Sequence, residues 1–327
     1  MNHLRKILHT LLSLQAIAFI AFSFNSSAQN YPTKPVKIIV PFAAGGPADN
    51  YARFMAQRLQ DELKQSFIVE DRPGAGSIIG TDFVAKSPND GYTLLMMSNT
   101  QTVNESLIPN KPFNLMRDFV GVAPINFSDL ILVVNPSVPV KTVPELIALA
   151  KSKPGKLNFA SSGNGTPYHM AGELFNALAG INITHIPYKG SSGARTDVIG
   201  GQVDMMFDAV TTMNEFVKEN KVRALATSGK TRSNITPNIP TVAEDGVPKF
   251  ETTIWLGIMA PKGTPVEIVN ILNAAIRKII SSQEVRDAWA KQGAAPLLMS
   301  PAEFNKYLEA DIQKWAAIVK SAQIKPD

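Results

Sequence analysis

Two glycine-rich stretches carry groups suited to holding an anion. Pro41-Phe-Ala-Ala-Gly-Gly-Pro-Ala-Asp49 and Ser161-Ser-Gly-Asn-Gly-Thr166 each follow an apolar, strand-like run and precede a helical pattern. Glycine turns at that position leave backbone N–H groups open to a ligand, and the helix that follows adds the positive end of its dipole. The second stretch also offers the hydroxyls of Ser161, Ser162 and Thr166. A helix N-terminus contributes about 0.3–1 kcal/mol to an anion. Several charge-assisted hydrogen bonds at ~1.5–3 kcal/mol each would bring affinity toward micromolar. Gly45-Gly46 alone fits an ordinary tight connection; a second loop in the equivalent position favours a clamp.

Other chemistries find fewer parts. Neither loop is a P-loop, because no Gly-Lys-Ser/Thr follows the glycines. Arg72-Pro-Gly-Ala-Gly-Ser-Ile-Ile-Gly80 superficially resembles a dinucleotide fingerprint, but the run before it is short and a proline precedes the glycines. No metal-ligand spacing and no nucleophile elbow is present, so neither a metal nor a cofactor is expected. Past the first 28 residues only His169 and His185 remain. His185 alternates with apolar neighbours and reads as structural. His169, three residues past Thr166, either touches a ligand or caps the helix. Ser162 with His169 is the one nucleophile–base pair that can be imagined, without a cue to a third, orienting group.

The elements that must position these loops follow from periodicity. Val36 to Val40, Phe67 to Glu70, Thr93 to Met97 and Leu130 to Val134 read as buried strands, and Ala52, Met55, Ala56, Leu59 and Leu63 mark a helical face. The unit recurs: strand Leu157 to Ala160, helix Tyr168 to Ala179 ended by Gly180, then strands at 183–188, 203–207 and 222–227. Thr142–Glu145, Thr241–Glu244, Thr264–Glu267 and Ser300–Glu303 have capping-box spacing and predict four helix starts. Alternation of this kind predicts an α/β fold. With enough strands for two sheets and no linker, the chain is expected to form two lobes joined twice. Lobe 1 would comprise residues 29–128 plus 230–327 and lobe 2 residues 129–229, with crossings near Asp129–Leu130 and Ser228–Gly229.

Composition sets the compartment. Arg5 and Lys6, a mostly apolar stretch to Phe24, and Ser26-Ser27-Ala28 form the three parts of an export signal, predicting cleavage after Ala28. The chain has no cysteine, which removes thiolate chemistry, disulfides and a lipid anchor on Cys. Its net charge of +5 comes from scattered rather than clustered Lys and Arg, which speaks against a nucleic-acid partner.

The motifs, in order, resemble one family. They are Tyr31-Pro-x-Lys-Pro-Val-Lys-Ile-Ile-Val-Pro-Phe42, Gly45-Gly46-x-x-Asp49, Glu70-Asp-Arg-Pro-Gly-Ala-Gly76 and Ser87-Pro-x-Asp-Gly-Tyr-Thr-Leu94. Asn158-Phe-Ala-Ser-Ser-Gly-x-Gly-Thr166 with His169, Pro187-Tyr-Lys-Gly190, Gly200-Gly-Gln-Val-Asp204, Phe207-Asp208, Ile239-Pro-Thr-Val242 and Ala260-Pro-x-Gly-Thr-Pro265 complete the set. By these the chain resembles the Bug-type receptors of tripartite tricarboxylate transporters. The resemblance implies a type II periplasmic-binding-protein fold, two α/β lobes closing on a carboxylate-bearing solute that passes to a membrane permease. It implies a soluble, monomeric, non-enzymatic protein of the periplasm. Carried over, the gripping residues are Ala44, Gly45, Gly46, Asp49, Ser161, Ser162, Gly165 and Thr166. Asp208 would address a ligand amine, hydroxyl or water, or else cap the next helix. Where many members have Pro and Ser/Thr in the first loop, this chain has Ala43-Ala44 and Pro47-Ala48, so Ala48 lacks a hydroxyl donor. An exported sensor of the same fold and an exported hydrolase using Ser162 and His169 are the competing readings.

Overall fold

The first sheet grows from β1 (Val36–Val40) in a computed structural model describing residues 31–325; the expected export signal lies outside them. In β1 the side chains of Val36, Ile38 and Val40 enter one core and Ile39 another. Apart from the exposed Lys37, both faces are covered and the run is apolar, as in parallel strands buried on both sides. β1 pairs in parallel with β2 (Phe67–Asp71) and β3 (Thr93–Ser98). Helix α1 (Pro47–Leu63) links β1 to β2, and α2 (Ile78–Ala85) links β2 to β3. The expected face of α1 is the buried one, with Ala52, Met55, Ala56 and Leu59 inward.

After α3 (Asn99–Leu107) and α4 (Leu115–Asp118) comes β4 (Phe119–Val134), a strand of 16 residues that belongs to both sheets. From Phe119 to Asp129 it pairs antiparallel with a strand from much later in the chain, Thr253–Pro261. From Leu130 it pairs instead with Met205–Ala209 and Arg223–Thr227. The sequence reading saw only the second half. In the first half Gly121, Pro124, Asn126 and Ser128 break the apolar pattern, and register shifts beside Gly121 and Pro124 absorb the irregularity.

The second sheet repeats the first. Helix α5 (Val143–Ser152) precedes β5 (Asn158–Ser161), and α6 (Pro167–Ala179) leads to β6 (Thr184–Pro187). Helix α7 (Ser191–Gly200), β7 (Met205–Ala209), α8 (Val210–Lys218) and β8 (Arg223–Thr227) follow. β5 lies between β6 and β7, parallel to both. Helix α7 was not expected, because its glycine- and serine-rich sequence shows little amphipathic pattern.

The return to the first sheet comes at Thr253, not at Lys230. The Ser228 N–H and Oγ both engage Leu130, and Ser228 also exchanges hydrogen bonds with Thr252. Between them, Val242, Val247 and Phe250 pack into the second core, Phe250 stacking on Phe207 at 5.4 Å. The aromatic contact and the Thr227–Thr241 bridge tie this segment to the second core. β9 (Thr253–Pro261) then inserts between β3 and β4. The chain ends with α9 (Val266–Ser281), α10 (Gln283–Ala290), β10 (Ala294–Pro296) and α11 (Pro301–Ser321).

Three predicted capping boxes fared differently. Ser300 and Glu303 form the reciprocal pair that starts α11. Thr241 and Glu244 exchange both bonds, yet only turns follow, with Gly246 in a left-handed conformation. Thr264 donates to the Pro261 carbonyl instead, leaving Pro265 as the N-cap of α9.

Candidate ligand-binding site

Four helix N-termini converge where the lobes face each other. From the first sheet, β1 runs through Gly46, the N-cap, into α1, and β3 through Ser98, the N-cap, into α3. From the second, Thr166 caps α6 and Gly190 precedes α7. The cavity they enclose has about 330 Å³ of atom-free space including its mouth. Phe42, Ala43, Gly46, Pro47, Ala48, Ser98, Thr100 and Leu256 line it from one side. Ser162, Pro167, Tyr168 and Ser191 line the other, with Ile254 at the start of the strand Thr253–Pro261 between them. None of these carries a charge. Four dipoles with their positive ends toward one cavity, and four hydroxyl side chains besides the Tyr168 phenol, make a site that favours an anion without a cationic side chain.

The two rims touch. The Ala43 N–H donates to the Lys189 carbonyl at 3.1 Å, and Ser192 Oγ donates to the Ala44 carbonyl at 2.9 Å. Gly165 lies so near Asn104 that a Cβ on it would fall 2.2 Å from Asn104 Oδ1, and a Cβ on Gly190 would fall 2.7 Å from Ala43 Cβ. This is a closed arrangement.

Of the residues expected to grip a ligand, Gly46 and Ser162 line the cavity. Most of the others build the loops that do. Gly45, in a left-handed conformation, donates its N–H to Asp49 Oδ2 at 2.9 Å, and Asp49 also pairs with Arg53 Nε at 2.6 Å. Asp49 is thus turned back on its own loop. Ala44 offers its carbonyl across the seam to Ser192. Ser161 Oγ sits 2.6 Å from His185 Nε2 and accepts the Gly163 N–H. Thr166 Oγ1 donates to the Gly163 carbonyl at 2.7 Å. The Gly165 N–H donates to His169 Nδ1 at 3.2 Å.

His169 stacks on His185 at 4.1 Å, and His185 on Phe159 at 4.8 Å. Burial, reinforced by His185, pushes the His169 imidazole down to about 3, so it stays neutral and accepting. His169 Nδ1 is thus engaged by its own loop through the Gly165 N–H.

Asp208 does not cap the next helix and is engaged by protein groups. Its Oδ2 accepts from Arg195 Nε at 2.8 Å and its Oδ1 from the Ala209 N–H at 2.9 Å. Ala209, not Asp208, occupies the N-cap of α8. Burial raises the Asp208 carboxyl above the usual range, and Arg195 opposes that shift. The pair is sealed, with Asp208 fully buried and Arg195 nearly so.

Residues 51–324 match the family model described as "Tripartite tricarboxylate transporter family receptor". The chain belongs to this receptor family. BugT of Bordetella pertussis is 40% identical over 301 residues, which cover 91% of this receptor and 92% of BugT. Among solved structures, R. palustris Rpa4515 with adipate superposes with a TM-score of 0.88 at 34% identity, covering 91% of this receptor and all of that chain. MatC from Rhodopseudomonas palustris with bound malate gives 0.85 at 30% identity, covering 88% and 100% respectively. The receptor therefore has the fold of periplasmic binding proteins of the Bug type and is a solute-binding protein of that family. Among the described residues, no helix is long and apolar enough to cross a membrane.

Sequence reasoning missed Ser98, Thr100, Tyr168 and Ser191 in this receptor. One signal was readable: Ser98-Asn-Thr-Gln101 has capping-box spacing directly after a predicted strand, and both reciprocal bonds form. Ser191 lay hidden with α7.

Proposed function

We propose that this receptor is exported, captures a small organic acid through its carboxylate by closing two lobes, and delivers it to a tripartite membrane permease. The convergence of four helix N-termini on an uncharged, hydroxyl-lined cavity carries the reading. The relatives solved with adipate and with malate support carboxylate as the ligand class. We take lobe 1 as residues 31–128 with 253–325 and lobe 2 as 129–252, from where the packing and the strands change sheet. Gly46, Ser98, Thr100, Ser162 and Ser191, with the first-turn amides of α1 and α6, would hold the carboxylate. The loops behind them, through Gly45, Asp49, Ser161, Gly165, Thr166 and His169, would keep those donors in place. The protein is expected to act as a monomer without cofactor.

A thermal-shift screen of the protein lacking residues 1–28, against mono-, di- and tricarboxylates, tests this. A ligand binding only the folded state raises stability by RT ln(1 + [L]/Kd), about 2.7 kcal/mol at a hundredfold excess over Kd. At least one carboxylate should raise the melting temperature. No response to any of them, with shifts from sugars or cations instead, would refute the assignment.

A further inference from the structure

The cavity wall carries no charge, yet a guanidinium stands directly behind it. Arg195 lies four residues after Ser191 on α7, so the two side chains share one helix face. Its Nε donates to Asp208 Oδ2 at 2.8 Å, and Asp208 is itself held by the Ala209 N–H. With that edge of the planar fork anchored, the other edge meets Ser191. Arg195 Nη2 donates to Ser191 Oγ at 3.5 Å, the long end of hydrogen-bond distance. Both residues are buried, so little water competes for the contact. Ser191 lines the cavity, and a Cβ on Gly46, the N-cap of α1 in the opposite lobe, would fall 2.9 Å from its Oγ. The hydroxyl therefore stands beside the N-terminus of α1, where an anion gathers. Among the described residues Ser191 Oγ has no hydrogen-bond partner besides Arg195. A hydroxyl has one proton and two lone pairs, while a guanidinium only donates. Arg195 thus occupies a lone pair, and the Ser191 proton is left for an acceptor in the cavity. Ser98, the cavity serine at the start of α3, instead gives its proton to Thr100 Oγ1 at 2.8 Å.

We propose that Arg195 is a positioning residue for ligand capture, acting through Ser191 by fixing that hydroxyl as a donor to the ligand carboxylate. This rests on the carboxylate reading above. Arg195 does not touch the ligand. Its charge reaches the anion by polarising the hydroxyl between them, since hydrogen bonds in a chain strengthen one another in a low-dielectric site. Asp208 keeps the guanidinium in register and balances its charge within the wall.

A double-mutant cycle tests the proposal. The probe is whichever of acetate, succinate, malate, adipate and citrate most raises the wild-type melting temperature, and isothermal titration reads its affinity. Ser191→Ala should weaken binding by about 10- to 100-fold, the span of one hydrogen bond to a charged group. Arg195→Lys keeps a cation for Asp208 but loses the second edge of the fork, and should weaken binding by about 2- to 10-fold. In the Arg195→Lys background, Ser191→Ala should weaken binding by a smaller factor than it does in wild type. If circular dichroism shows that the lysine variant does not fold, Arg195→Met with Asp208→Leu, an apolar replacement of the whole pair, takes its place. A merely structural Arg195 would lower the melting temperature and leave the two changes additive. Additive changes, an Arg195 variant that binds as tightly as wild type, or unchanged affinity in Ser191→Ala each overturn the role while leaving the carboxylate reading intact. Failure of wild type to respond to any of the five acids refutes the underlying reading instead.

Discussion

Gly190→Ala isolates lobe closure from every other property of this receptor. Gly190 has φ 176°, extended backbone that any residue adopts, so alanine brings no conformational strain. Its new Cβ would meet Ala43 of the opposite lobe at 2.7 Å to Cβ, 3.0 Å to N and 3.2 Å to Cα. Carbon atoms pack at about 3.5–4.0 Å, so the closed state must part locally or bear an overpacking cost of about 1–3 kcal/mol. Two of these contacts are to backbone, which cannot rotate away. The open state bears no such cost. Apparent affinity scales with the fraction able to close, so that cost becomes a weakening of about 5- to 150-fold. Isothermal titration with whichever acid wild type binds reads this directly. The ligand-free melting temperature should match wild type, and small-angle scattering should show less contraction on ligand addition. Unchanged affinity would refute the argument that these rims must meet for binding. A matching drop in ligand-free stability would place the clash in the resting fold.

Two other perturbations concern the supports. Arg195→Met leaves a buried carboxylate at Asp208 without its cation and should cost about 3–5 kcal/mol in urea unfolding; pairing it with Asp208→Leu should recover much of the loss, and a cost near zero for the single change would show the pair to be dispensable. His169 titrates near 3 when folded, below its ordinary value of about 6.5. The unfolded chain therefore binds the extra proton between those values, and the stability this residue contributes is full above about 6.5 and is lost as pH falls toward 3. His169→Gln should flatten the acid limb of the stability curve by up to about 1.4 kcal/mol per pH unit; wild-type and variant curves running parallel between pH 6.5 and 4 would contradict the burial argument.

Much of the scaffold was readable because local rules and global packing agree there. Apart from Lys37, Val36 to Val40 is apolar on both faces, a glycine turn ends it, and Pro47 opens a helix whose inward face repeats at helical spacing. Leu130 to Val134 was readable for the same reason. The other half of β4 was not, since Pro124 and the bulges disguise a strand that only tertiary pairing with β9 sustains. At the site, the sequence located the loops but not which atoms face inward. Ser161 and Ser162 are chemically identical neighbours, yet one hydroxyl is engaged by His185 and the other residue lines the cavity. His169 reads in sequence as either a ligand contact or a cap, and its bond to the Gly165 N–H and its stacking on a histidine 16 positions away were not legible there. The charged partner of Asp208 lies 13 residues upstream on a helix the pattern concealed.

The placement of β9 between β3 and β4 also orders how the molecule can be completed. β3 and β4 are near neighbours in sequence but share no pairing, because β9 separates them. The second core needs only residues from Leu130 to Ile254. The first sheet cannot close until Trp255 to Pro261 arrive, joining strands whose partners were made more than a hundred residues earlier. Loop closure over that span carries an entropy cost that grows with the logarithm of its length. In a chain emerging from its N-terminus, the first-written lobe is therefore the last that can be finished, and until then its sheet edge at β3 stays unpaired.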